Sequence, residues 1–226
     1  MHVLKVRDVV RHREVKMNPK LTEYISSLNT EEISAERMRI LQPLINFIES
    51  KKSVVGNKEI HLIFICTHNS RRSHLAHIWA QTMAAHFGQS RIHCYSGGTE
   101  STAVYPQVLA ILTEVGFEAS KTTNTENPIY KISFSDEHAT IEAFSKRWDD
   151  GVNPKKEFAA VMTCTHADEN CPFIPGAKAR ISITYDDPKE FDYSPLKGAK
   201  YRELSRQIAS EMRFVFEQLG SGPALG

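Results

Sequence analysis

A nearly unbroken apolar run, Ile60-His61-Leu62-Ile63-Phe64-Ile65, feeds directly into the polar loop Cys66-Thr67-His68-Asn69-Ser70-Arg71-Arg72-Ser73. Such a run predicts a strand buried on both faces, and strands of that kind belong to parallel sheets covered by helices. The residues after the loop agree. Leu75, Ile78, Trp79, Thr82 and Met83 recur at helical spacing over 73–87, and Gly88 is a natural stop. Strand, cysteine loop and helix in that order point to an α/β fold.

The rest of the chain repeats the rhythm. Residues 91–95 read as a second strand, followed by a loop with Gly97-Gly98, and Pro106 opens a helix that ends near Gly116. Further strands are expected at 158–163 and 180–185, and a last helix carries Tyr201, Leu204, Ile208, Met212, Val215 and Leu219 on one stripe. The sum is a four-stranded parallel sheet flanked by helices. Residues 129–134 and 139–145 alternate loosely about Asp136-Glu137 and read as a hairpin, inside an insertion at about 125–153 of a catalytic domain spanning 58–226.

Residues 1–57 read as an N-terminal helical extension. Asn18-Pro19 is a helix start, and from Ile33 onward Ile40, Leu41, Leu44, Ile45 and Ile48 share one side, with Pro43 inside the segment. That apolar face needs a partner, either the main domain or a second copy in a homodimer. Residues 1–16 are basic and unpatterned, and are expected to be mobile.

A formal net charge of +1 gives no general attraction to nucleic acid or to an anionic membrane, so any anion binding has to be local. No apolar run is long enough to cross a bilayer, and Met1–Arg7 lacks the core of a secretory signal. The expected location is cytoplasmic. In a reducing compartment the 4 cysteines read as buried, catalytic or metal-bound, not as a disulfide framework.

The loop chemistry is specific. Free amides at a helix start favour negative charge, and five residues between Cys66 and Arg72 can curl those amides around a tetrahedral oxyanion. The same field favours a Cys66 thiolate, and Arg72 offers a fork that binds two oxygens at once. Asn69, Ser70 and Ser73 can brace the loop or the thiolate. Without that context, a cysteine after a strand would be inert packing.

The segment resembles the phosphate-binding loop of the low-molecular-weight protein tyrosine phosphatase fold, which is shared with the thioredoxin-coupled arsenate reductases. The resemblance covers about residues 58 to 220, interrupted between Asn124 and Asn153. It implies Cys66 as nucleophile, Arg72 as the oxyanion-binding arginine, and a loop from Thr67 through Ser73 that holds an arsenate- or phosphate-type oxyanion. The family usually has Gly where His68 stands, and an apolar residue or Cys where Arg71 stands. A His tolerates a left-handed backbone better than most residues. Arg71 could attract the anion or simply face solvent.

Asp187-Pro188 occupies the position at which this resemblance implies a general acid, although Asp-Pro is also a common turn and Asp186 is adjacent. Cys164-Thr165-His166-Ala167-Asp168-Glu169-Asn170-Cys171-Pro172 resembles the redox loop of the arsenate reductases, where a mobile segment passes a disulfide outward to thioredoxin. A phosphatase needs neither cysteine. Zinc held by Cys164, His166 and Cys171, with His74 and His77, is a weaker match to known ligand spacing. Lys189-Glu190-Phe191 leaves the aromatic wall of a phosphatase phenol slot incomplete. The resemblance therefore implies arsenate reduction by Cys66, Cys164 and Cys171, with no tightly bound cofactor and thioredoxin as electron donor. The alternatives are a tyrosine or aryl phosphatase and a non-catalytic oxyanion or metal sensor. Cys94 reads as a buried strand residue.

Overall fold

The computed structural model describes residues 16–54, 58–136, 138–171 and 173–219. The mobility expected of the first sixteen residues falls almost wholly outside that set. Asn18 caps α1 (Pro19–Ser26) through a bond from the Lys20 amide, and Ser34 caps α2 (Ala35–Lys52) through one from Arg37. Helix α2 continues through Pro43.

The core of the molecule is a parallel sheet in the order β2-β1-β6-β7, formed by β1 (Ile60–Cys66), β2 (Ile92–Gly98), β6 (Phe158–Met162) and β7 (Ala177–Ser182). Helices α3 (Arg72–His86), α4 (Pro106–Glu114) and α6 (Lys197–Gln218) share a large apolar cluster with it. Every residue of β6 is buried and β1 is buried except for His61, as a strand covered on both faces requires.

The expected fourth strand at 180–185 is displaced. The structure places β7 three residues earlier, directly after the turn at Gly176, whose φ is 84°. Its residues alternate in exposure, which hid it from a search for apolar runs. The expected hairpin is a three-stranded antiparallel sheet of β3 (Glu118–Lys121), β4 (Tyr130–Ser133) and β5 (Ile141–Ala143). Strand β3 is exposed at all four positions and is held by backbone pairing, so its sequence carries no apolar signal.

The α2 face finds its partner within the chain. Leu41, Leu44, Ile45 and Ile48 are buried in the same cluster as Ile208, Met212 and Val215 of α6. Among the described residues, no helix is long and apolar enough to cross a membrane.

Candidate active site

Cys66 ends β1, and α3 starts six residues later at Arg72. The carbonyls of the intervening loop are all tied to groups outside it. Thr99 N–H donates to Cys66 O (3.1 Å), Glu100 N–H to Thr67 O (2.8 Å) and Tyr105 N–H to Ser70 O (3.0 Å). The Ser145 and Thr102 hydroxyls donate to His68 O at 2.9 and 3.2 Å, and His74 Nε2 bonds Asn69 O at 2.9 Å. A trans peptide turns its N–H opposite to its carbonyl. Carbonyls held outward therefore turn the amides of residues 67–71 inward, into a concave set of donors suited to an oxyanion.

One loop residue has a left-handed backbone, and it is Asn69 (φ 45°), not His68. Asn tolerates that region, and here its side chain is spent on both sides. Oδ1 accepts the Lys146 amide (2.9 Å), while Nδ2 donates to Ser73 Oγ (2.8 Å). Ser73 Oγ accepts from Asn69 and lies 3.1 Å from Cys66 Sγ, within reach to donate its own proton to that sulfur once the sulfur is charged. Gly98 is demanded by the same packing: a Cβ there would lie 2.6 Å from Thr67 O and 2.7 Å from Asn69 N.

Arg72 projects toward Asp187, with Nη1 donating to Tyr185 O (3.0 Å) and Nη2 to Asp187 Oδ2 (2.5 Å). Asp187 also accepts from the Lys189 amide and so caps a short 3-10 turn, Pro188–Phe191. A small pocket is lined by Cys66, His68, Ser70, Arg71, Arg72 and Asp187. Arg71 is not solvent-facing, and its guanidinium is committed to partners on the other elements. It stacks 4.0 Å from the Tyr105 ring and bonds Asp192 (2.5 Å) and the Tyr201 hydroxyl (2.6 Å), clamping the loop to α6.

The Cys164 segment, read in the sequence as a loop, is helical instead. It forms a short helix, α5 (Thr165–Asn170), with Cys164 at its N-cap and Cys171 at its C-cap. Cys164 is 1% exposed and shares one apolar cluster with Cys66, while Cys171 is half-buried against it. Thr67 turns its hydroxyl toward this segment, 3.5 Å from Cys164 Sγ and 3.2 Å from His166 Nδ1. Cys94 is buried in β2, and burial pushes its thiol pKa up.

Several residues that brace the site went unnoticed in the sequence. Ser145 and the Lys146 amide come from the stretch read as an insertion. The Lys146 ammonium is buried beside Ser96 Oγ (3.5 Å), and burial lowers its pKa to about 8. Ser96 in turn bonds His74 Nδ1 (3.3 Å). Burial, then the Lys146 charge, pull the His74 pKa down to about 3. His74 and His77 are both buried, and His74 is committed to Asn69 and Ser96 rather than to Cys164.

The end of β1 thus brings a cysteine, a set of inward-turned amides, an arginine and an aspartate to one small pocket, an arrangement with the chemistry to receive an oxyanion. Comparisons with known proteins give the family. Residues 61–136 match the family model described as low molecular weight phosphotyrosine protein phosphatase. An arsenate reductase of Staphylococcus aureus (strain Newman) is 30% identical over 162 residues, covering 71% of this chain and 95% of that protein. An arsenate reductase 2 of Staphylococcus epidermidis is 28% identical over 127 residues, covering 56% and 77%. A solved structure, the Corynebacterium glutamicum thioredoxin-dependent arsenate reductase, is 21% identical with a TM-score of 0.43, covering 81% of this chain and 70% of that one. The chain belongs to the arsenate reductase family within the low-molecular-weight phosphotyrosine protein phosphatase fold, and is an enzyme.

Proposed function

We propose that this enzyme reduces arsenate to arsenite in the cytoplasm, through a relay of Cys66, Cys164 and Cys171 that thioredoxin resets. Residues 58–226 are the catalytic unit in this reading, and residues 1–57 an N-terminal extension whose helices α1 and α2 share the main apolar cluster. The observation that carries it is the burial of Cys164 beside the anion loop, its sulfur 3.5 Å from the Thr67 hydroxyl. A phosphatase has no use for a second thiol there.

In the first step the oxyanion is held by the amides of residues 67–73 and draws the Arg72 fork away from Asp187. Cys66 thiolate attacks arsenic, and Asp187, once free of Arg72, protonates the departing oxygen. Cys164 then attacks Cys66 Sγ. The S–S bond forms, the S–As bond breaks, and its electron pair reduces As(V) to As(III). Cys171 next attacks Cys164, releasing Cys66 and moving the disulfide outward.

That last transfer needs α5 to unwind. Across a helix with a rise of about 1.5 Å per residue, the two caps stand about 10 Å apart, beyond the ~7 Å a disulfide tolerates. Unwinding is inexpensive here, because Ala167 is the buried residue of α5 and much of the rest is polar contact. Arg180 donates to Cys171 O and Asp168 O, and Ser182 to Asp168 Oδ2 (2.8 Å). Steady-state arsenite production with thioredoxin, thioredoxin reductase and NADPH tests the proposal. Sustained turnover supports it. Hydrolysis of an aryl phosphate with no arsenite would make the chain a phosphatase using Cys66, Arg72 and Asp187 alone.

A further inference from the structure

We propose that His166 is the proton acceptor for Cys164, working through the Thr67 hydroxyl, so that the second thiol of the relay is deprotonated without contact with water. This deepens the reductase reading above and rests on it.

The need arises from burial. A thiolate, not a thiol, attacks a sulfur, and Cys164 at 1% exposure has little solvent to take its proton. With so little solvent at the sulfur, the proton must pass to a defined base within the protein. The structure supplies a two-bond path. Cys164 Sγ lies 3.5 Å from Thr67 Oγ1, and Thr67 Oγ1 lies 3.2 Å from His166 Nδ1. A hydroxyl can accept and donate at once, which suits it to pass a proton between two groups that do not touch.

His166 lies on the exposed side of α5, so an imidazole charged by the transfer can release its proton to water. The Ala167 amide donates to Cys164 Sγ at 3.4 Å and remains in place for the thiolate once the proton has left. The arrangement requires His166 Nδ1 to be the unprotonated nitrogen, with the hydrogen on Nε2.

The step balances. The Cys164 proton moves to Thr67 Oγ1 as the Thr67 proton moves to His166 Nδ1. The Cys164 sulfur bonds to Cys66 Sγ, and the S–As electron pair stays on arsenic. The two sulfurs lose the two electrons that arsenic gains, and the imidazolium then gives its proton to solvent. His166 touches no reacting atom and is a positioning residue for this transfer; Thr67 is its relay.

The test uses the full chain carrying Cys171→Ser, in which the Cys66–Cys164 disulfide accumulates after one addition of arsenate. Acid quench and peptide mapping give its rate of formation. His166→Ala in that background is expected to slow the rate by about 100-fold, the scale of a lost general base, with added imidazole restoring much of it. His166→Asn, which keeps a hydrogen-bonding group beside Thr67 but cannot take the proton, is expected to be equally slow. Melting temperature and phosphate protection of Cys66 against alkylation report on folding of each variant. A parental rate in either variant would overturn the proposal, as would slowing that imidazole does not relieve in His166→Ala. If the Cys171→Ser parent forms no Cys66–Cys164 disulfide at all, the relay itself fails and this proposal with it.

Discussion

Asn69 shows how much one loop residue can hold. Its left-handed backbone turns the loop, its amide group holds Ser73 Oγ beside Cys66 Sγ, and its carbonyl is fixed by His74. The sequence marked Asn69 only as small and polar, and assigned the unusual backbone to His68, because the resemblance places Gly there. What decided the matter lies far away in sequence, in Gly98, Ser145 and Lys146, which no local pattern links to the loop. Gly98→Ala is accordingly expected to abolish phosphate protection of Cys66, since its Cβ would meet backbone that has no room to retreat. Alkylation with and without phosphate measures it.

His74 supports a prediction about acid. Its folded pKa, near 3, lies below its ordinary 6.5. Below pH 6.5 the unfolded chain gains a proton that the folded one refuses, so stability is present above that pH and is lost as pH falls toward 3. The slope from one such group is about 1.4 kcal/mol per pH unit. His74→Gln, which can still donate to Asn69, is expected to flatten the acid limb of stability measured by urea unfolding from pH 6.5 to 4.

At the scale of elements, the central strands and the major helices were legible because their apolar periodicity is set by burial on known faces. Strand β3 and the position of β7 were not, since backbone pairing selects them rather than side-chain pattern. Helix α5 was hidden for a related reason. Six residues are too few for a periodic signal, and its caps are the two cysteines that drew a redox reading instead. The role of α2 was half legible: its stripe predicted burial, and the structure supplies the partner. Arg37 of α2 makes a forked bond to Glu211 (2.7 and 2.9 Å), and Glu211 accepts from the Tyr185 hydroxyl (2.8 Å), two residues before Asp187. Leu44→Ala is expected to cost about 2–5 kcal/mol, as for other buried leucines. Unfolding in denaturant checks it, and a cost below about 1 kcal/mol would make the extension a loosely attached tail.

For the molecule as a whole, the sheet brings the ends of β1, β6 and β7 to one edge, and with them Cys66, Cys164 and the approach to Asp187. This convergence follows from parallel strands, whose carboxyl ends share a crevice. In the proposed relay, Cys164 discharges the Cys66 adduct. The most direct measurement compares arsenite release and aryl-phosphate hydrolysis in Cys164→Ser and wild type, with thioredoxin, its reductase and NADPH present throughout. Arsenite release is predicted to fall to background in the variant while hydrolysis continues near the wild-type rate, because water can resolve a phosphocysteine and no thiol is needed. Continued multiple turnover of arsenate by Cys164→Ser would contradict the account.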